Sequence, residues 1–408
     1  MTSTATAYTS RWVWCGPGDL RSGVAVVLKD GWIEAVEDKP PAGMALNDLG
    51  DGLLLPGLIN AHTHLELSGL AGMMPPQGDF VGWLESMVNQ RPAQLRINGT
   101  EATESAIEYL ANNGTALVGD VTNTGKAAPV LSLAGVSSVS FYEALGAAKA
   151  EPPAAQAGWQ GAVLTASAVA AHAPYSIPTS RLATLKAKAG RLPFAIHLAE
   201  SRAEVEFLAG TGDEGRRLEE FLLLRGLKRE ALNLAADTPL GQLVAADALD
   251  RNTLLVHGVQ LTSDEVAQVA AARASLCLCP RSNLGLTGGL APVEKLLAAG
   301  VNLALGTDSL ASSPSLSLWE EMAALMAVKP SLDPEAVLTM ATVGGAHALG
   351  QAGRFGLLRP GAAGPMAFAP LPNLPDDEVI EAVVRGEHAN TPFSVGRGGV
   401  YERKEGSR

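Results

Sequence analysis

Eight short apolar runs, each followed by a longer Ala- and Leu-rich stretch, constrain this chain more than any other feature. The runs are "GLINAHTH", "GTALVGD", "VSSVSFYEALG", "AVLTASAVAAHAPYS", "LPFAIHLAE", "NTLLVHG", "ASLCLCP" and "VNLALGTDS". Near-continuous apolar character marks strands covered on both faces, the condition of strands in a parallel sheet. The stretches between them include "TEATESAIEYLANNG", "SDEVAQVAAAR" and "APVEKLLAAG". They have helical composition and several close on Gly, as helix C-termini often do. Eight strand–helix alternations over about 290 residues predict an α/β fold, a parallel (β/α)8 barrel of the TIM type. Apolar residues make up 47% and charged residues 18% of the 408, enough for a core of that size.

The flanks have a different texture. "SGVAVVLKDGWIEAVED" places β-branched runs on either side of a "KDG" turn, a hairpin signal. From Phe355 the chain is Gly- and Pro-rich and strand-like again, through "GLLRPGAAGPMAFAP" and "VIEAVVRGEHANTPFSVGRG". Residues 1–55 and 355–408 are therefore expected to form one small β-sandwich domain, with the barrel spanning 56–354. No repeat of fixed period is present.

Charge and cysteine usage narrow the function. A net charge of −12 argues against tracking a phosphate backbone, which needs clustered Lys and Arg. It leaves a small nucleoside open as substrate. The start has no apolar core of signal-peptide length, and no run of about 18 apolar residues appears, so neither export nor a membrane span is expected. Cys15, Cys277 and Cys279 have no C-x-x-C spacing and read as buried small hydrophobes in a reducing cytoplasm.

Five of the seven histidines fall at or just after the ends of apolar runs. His62 and His64 close the first run, His172 the fourth, His197 lies in the fifth and His257 closes the sixth; Asp308 closes the eighth. Barrel enzymes carry their sites at the C-terminal ends of the strands, so these residues share one rim. His62 and His64 are two apart, and alternate residues of a strand project to the same side. One metal ion can take both imidazoles. With His197 and Asp308 they form a nitrogen and carboxylate set of the kind zinc prefers, leaving one position for water. A divalent metal makes hydroxide available near neutral pH. Glu200, in "HLAE", is close enough in sequence to move protons in the same opening. His257 is either a further ligand or a group that orients the hydroxide; the second is favoured, because the other four and water fill the coordination sphere. His172 is either a substrate contact or a rim histidine, and Trp83 either covers a planar substrate or anchors a loop.

Together "PGLINAHTH", "HAPYS", "HLAE", "LLVHG", "CPRSNLGLTGGLAPVEKLLAAGVNLALGTDS" and "GRFGLLRPGAAG" resemble the amidohydrolase superfamily, over about residues 53 to 364. Within it the H-x-x-E after the fifth run is similar to that of cytosine-, guanine- and adenosine-type deaminases and chlorohydrolases. The "HTHLELSG" form is closest to that of aminodeoxyfutalosine deaminases, which serve the alternative menaquinone pathway. The resemblance implies metal ligation by His62, His64, His197 and Asp308, proton shuttling by Glu200 and hydroxide orientation by His257. It puts His172 at the substrate. Two-metal relatives carry a bridging carboxylated Lys on the fourth strand; the fourth run here has no Lys, so one divalent metal ion, zinc by preference, is expected. The expected activity is deamination of an exocyclic amino group on a purine nucleoside, with 6-aminodeoxyfutalosine as first choice. Methylthioadenosine, S-adenosylhomocysteine or adenosine are alternatives, as is a related chlorohydrolase or cyclic amidohydrolase; a non-catalytic binding barrel is the remote one. The substrate carboxylate of the first choice needs a cation, for which Arg202 and Arg281 are candidates. Glu66 is expected to help choose the substrate. A homodimer is compatible with the sequence.

Overall fold

All eight apolar runs become strands of one parallel sheet in the computed structural model of the protein, which describes residues 5–39, 43–74, 78–97, 99–146 and 152–396. Along the barrel they are β1 (Leu58–Thr63), β2 (Thr115–Thr122), β3 (Ser137–Ala144), β4 (Val163–Ala171), β5 (Phe194–Leu198), β6 (Thr253–His257), β7 (Ser275–Leu278) and β8 (Asn302–Leu305). They pair in sequence order. A parallel bridge between Thr63 and Asp308 brings the first and last strands together. Around it, Asn60 Nδ2 donates to Thr307 Oγ1 at 2.7 Å, and the Thr307 and Asp308 amides both donate to the His62 carbonyl, at 3.0 and 3.1 Å. The barrel therefore closes at the residues the sequence singled out for chemistry.

Register decides what each strand end presents. His197, Val256, Cys277 and Ala304 form one cross-strand row over β5 to β8. Next along, Leu198 pairs with His257, and Leu198 packs in a cluster with Leu243, Val266 and Val269 of the helical layer. Strand alternation alone would send His257 to that outer layer. Its φ of 76° turns the chain instead. Cys277 and Cys279 are buried and unpaired, as is Cys15.

The terminal strands form two further sheets. One has the order Trp32–Glu37, Ala25–Lys29, Thr6–Thr9, Ala45–Asp48; the other Phe393–Val395, Met366–Pro370, Gly52–Pro56, Trp12–Gly16, Asp19–Ser22. Val26, Leu28 and Ile33 of the first pack with Val13, Leu54 and Phe368 of the second. The expected hairpin is present, and its turn residues Asp30 and Gly31 both have positive φ, 53° and 80°, the twist that suits a two-residue hairpin.

One local expectation changes, and one strand is additional to those expected. "VIEAVVR" is a helix, Val379–Arg385, rather than a strand. Its buried Val379, Ala382 and Val383 recur at helical spacing and join the cluster of Leu318, Met322 and Leu325, so packing outweighs β-branched propensity. A short strand, Gln156–Gln160, folds back antiparallel on β4. Among the described residues no helix is long and apolar enough to cross a membrane.

Candidate active site

At the C-terminal end of the barrel His64 Nε2 stands 3.2 Å from His62 Nε2 and 3.3 Å from His197 Nε2. Asp308 Oδ1 is 3.6 Å from the Nε2 atoms of both His62 and His64. Zinc–nitrogen bonds of about 2.0–2.1 Å at tetrahedral angles hold nitrogens about 3.3–3.4 Å apart, so the spacing fits a single ion. The protonation states fit as well. His197 Nδ1 donates to the His172 carbonyl at 2.8 Å, which leaves a lone pair on Nε2 facing the cluster. Burial, and then the neighbouring imidazoles, push His64 well below the ordinary histidine range and His197 down to about 4. Neutral imidazoles are the form that ligates.

Asp308 is held by its other oxygen. The hydroxyls of Ser282 and Ser312 each donate to Oδ2 at 2.7 Å. Oδ1 is thereby left to the histidines. Burial works to raise this carboxyl, but the pairing with His62 and then the nearby His64 and His257 imidazoles keep it well below the usual range. The turn that delivers it has φ of 55° at Asp308.

Glu200 is positioned by a capped helix. Ala199 takes φ of 49° and its carbonyl accepts from the Gln260 amide at 2.8 Å. Ser201 caps the helix Arg202–Ala209 by accepting from the Glu204 amide, while Glu204 Oε2 accepts from the Glu200 amide at 2.9 Å. Glu200 Oε1 lies 3.6 Å from His257 Nε2. Burial, then the charges of Asp308 and Glu204, push the Glu200 carboxyl well above its ordinary value. A buried carboxyl facing the same opening as the histidine cluster is placed to exchange protons with a group bound there. His257 Nδ1 accepts from the Asn283 amide at 2.9 Å, and with the amide in this orientation the imidazole proton sits on Nε2, facing Glu200.

These groups floor a cavity of about 430 Å³ whose walls are mainly apolar. The amidohydrolase family's sequence profile matches residues 53–387. A 5-methylthioadenosine/S-adenosylhomocysteine deaminase of Syntrophobacter fumaroxidans is 34% identical over 342 residues, 77% of this chain and 71% of that one.

The chain belongs to the amidohydrolase family.

An aminodeoxyfutalosine deaminase of Nitratiruptor sp. is 28% identical over 317 residues, covering 74% and 75% of the two chains. The solved structure of Helicobacter pylori aminofutalosine deaminase in complex with methylthio-coformycin has the same fold, with a TM-score of 0.79 at 22% identity, over 95% of this chain and 97% of that one. The protein is thus an amidohydrolase acting on carbon–nitrogen bonds.

This amidohydrolase brings most of the singled-out residues to one cavity. His64, Glu66, Trp83, His172, His197, Glu200, His257 and Asp308 all line it, with His62 directly beneath. Glu66 is heavily engaged. It accepts from the hydroxyls of Thr122 and Thr124 and from the amides of Thr124 and Asn123. Burial opposes its ionisation, but these bonds hold it below the ordinary range. Trp83 lines the cavity, and its Nε1 donates to the Ala311 carbonyl at 2.9 Å. Arg202 and Arg281 do not reach the cavity. Arg202 is 78% exposed and pairs with Glu206 one helical turn on; Arg281 pairs with Glu320 and donates to Ser315. Each is neutralised by its own neighbour. Sequence reading passed over Ser282, Asn283, Ser312, Glu143, Tyr175 and Arg225. Ser282 and Asn283 stand in "CPRSN" and Tyr175 in "HAPYS", so the motifs held the signal but not the roles.

Proposed function

We propose that the protein hydrolytically removes the 6-amino group of a purine nucleoside, that one zinc ion is held by His62, His64, His197 and Asp308, and that its substrate is 6-aminodeoxyfutalosine. The observation that carries the reading is the buried Glu200 carboxyl standing 3.6 Å from His257 beside the three-imidazole cluster. When bound there, a divalent cation lowers the pKa of water from about 15.7 to about 7. Glu200 takes a proton from the attacking water and passes it to the ring nitrogen next to the amino-bearing carbon. The His257 N–H and Asp308 orient the oxygen as it adds to that carbon. The proton of the added hydroxyl then reaches the amino group through Glu200, the carbon–nitrogen bond breaks, and ammonia leaves a keto group behind. The apolar walls exclude bulk water from the reacting atoms.

Zinc is chosen over harder cations because the donors are imidazole nitrogens and one carboxylate. What supports the substrate is the "HTHLELSG" form, the Nitratiruptor relative and the apolar-walled cavity of about 430 Å³. A second reading, a methylthioadenosine or S-adenosylhomocysteine deaminase, is favoured by the higher identity of the Syntrophobacter relative. Three unpaired buried thiols support a cytoplasmic location.

Glu200→Gln is expected to abolish nearly all ammonia release while metal content stays at one ion per chain. Undiminished turnover overturns the mechanism. Among aminodeoxyfutalosine, methylthioadenosine, S-adenosylhomocysteine and adenosine, the first is expected to have the highest kcat/KM; preference for the second or third selects the other reading.

A further inference from the structure

We infer that Arg225 binds a terminal carboxylate on the substrate's 5′-substituent, so that this site takes purine nucleosides whose sugar carries an apolar arm ending in an anion. The inference rests on the deaminase reading above and extends it to the part of the substrate away from the reacting carbon.

Arg225 lines the same cavity as His197 and Glu200. It follows the helix Asp213–Leu223. There Gly226, with φ of 78°, lets the chain reverse, and the Leu227 amide donates to the Leu222 carbonyl at 3.0 Å. The reversal folds Leu227 back toward Phe221 and Leu222, so that all three join Arg225 on the cavity wall. The arginine is held in place without being neutralised. Its guanidinium lies 3.7 Å from the centroid of the Phe221 ring, and Nη1 donates to the Phe221 carbonyl at 2.9 Å. Among the described residues no carboxylate lies within ion-pair distance of it. The arginines around it differ: Arg202 pairs with Glu206, Arg216 with Asp213, and Arg217 with Asp79 and Glu214. A guanidinium offers five N–H donors in a fixed fork that suits a carboxylate, and stacking on a ring already restricts this one.

Phe80, Trp83, Leu84 and Met87 pack in one cluster with Phe221, Leu222 and Leu227 and line the same cavity, with the Phe80 and Trp83 rings stacked at 6.3 Å. An aryl or alkyl arm is what such a wall accepts. Glu143 lines the cavity beside His172 and His197. A cation beside an apolar wall suits a simple carboxylate better than an uncharged methylthio group.

The test uses two 5′-substituted 6-aminopurine nucleosides that differ only in a carboxylate, one bearing a carboxyphenyl arm and one a phenyl arm, assayed by ammonia release on the metal-loaded protein. The wild-type protein is expected to favour the carboxylate by roughly tenfold to a hundredfold in kcat/KM, mainly through KM. Arg225→Met, which keeps the apolar stem, is expected to bring the ratio near one. Arg225→Lys is expected to restore part of it, and Arg216→Met to leave it as in wild type. Equal rates on both nucleosides in the wild type, or a ratio that survives Arg225→Met, overturn the role of Arg225 and leave the deaminase reading standing. No ammonia from either nucleoside or from adenosine overturns both.

Discussion

Asp308 and Asp120 show how differently two buried carboxylates can be treated. Both Asp308 oxygens have neighbours, hydroxyls on one and imidazoles on the other, and the group stays ionised. Asp120 accepts one bond, from the Leu65 amide at 3.0 Å, and its other oxygen has no partner among the described residues. Burial pushes its carboxyl up to about 8 from 3.8. In the unfolded chain the group ionises near pH 4, while in the fold it stays protonated to about pH 8. The unfolded state is therefore favoured increasingly as pH rises across that window. Asp120→Asn is expected to gain stability relative to wild type by about 1.4 kcal/mol per pH unit between pH 5 and 8, and to level off above that. Urea unfolding of both proteins at pH 5, 6, 7 and 8 measures it, and a constant gap between them counts against the raised value. His62, His64 and His197 were legible residue by residue, because an H-x-H at the end of an apolar run projects both rings one way. Arg225 was not, because its meaning depends on no acid standing within ion-pair distance among the described residues, which only the folded surroundings reveal.

At the scale of elements, the turn from β5 into the helix Arg202–Ala209 carries the most functional weight. Ser201 is its cap and Glu204 secures the Glu200 amide, so the cap and the proposed acid/base share one turn. Ser201→Ala is expected to cost about 1 kcal/mol of stability. It is also expected to lower kcat more than it raises KM, since it loosens Glu200 rather than the cavity wall. The thermal midpoint and steady-state constants of the metal-loaded variant check both parts; a lower midpoint with unchanged kcat would mean that the cap serves stability alone. The Val379–Arg385 segment is the counterexample to reading elements from composition. Three valines and an isoleucine favour a strand locally, and only the groove beside Leu318–Val328 selects the helix.

At the scale of the whole molecule, the seam between β1 and β8 and the histidine cluster are the same place. His62 supplies an imidazole to the cluster and a carbonyl that accepts the Thr307 and Asp308 amides across the seam. A metal held here, as proposed, would tie the first barrel strand to the last. Its removal by a chelator is expected to lower the thermal midpoint and to speed amide exchange over residues 58–63 and 302–308 more than elsewhere. Metal at about 100 times its dissociation constant should restore about 2.7 kcal/mol. Uniform exchange with and without chelator would show that the seam holds by its hydrogen bonds alone.

The sequence by itself determined the barrel, its strand count and which residues stand at its catalytic end. Those follow from short-range pattern: apolar runs buried on both faces, helices between them, and polar residues where the runs stop. Only the tertiary structure decided how these residues are turned and held. His257 reaches the cluster through a positive φ where alternation would turn it away, and Ser282 and Ser312 select which oxygen of Asp308 faces the histidines. Arg225, rather than Arg202 or Arg281, lines the cavity, because the other two meet acids first. Partnership between residues far apart in the chain leaves no periodic trace in the sequence.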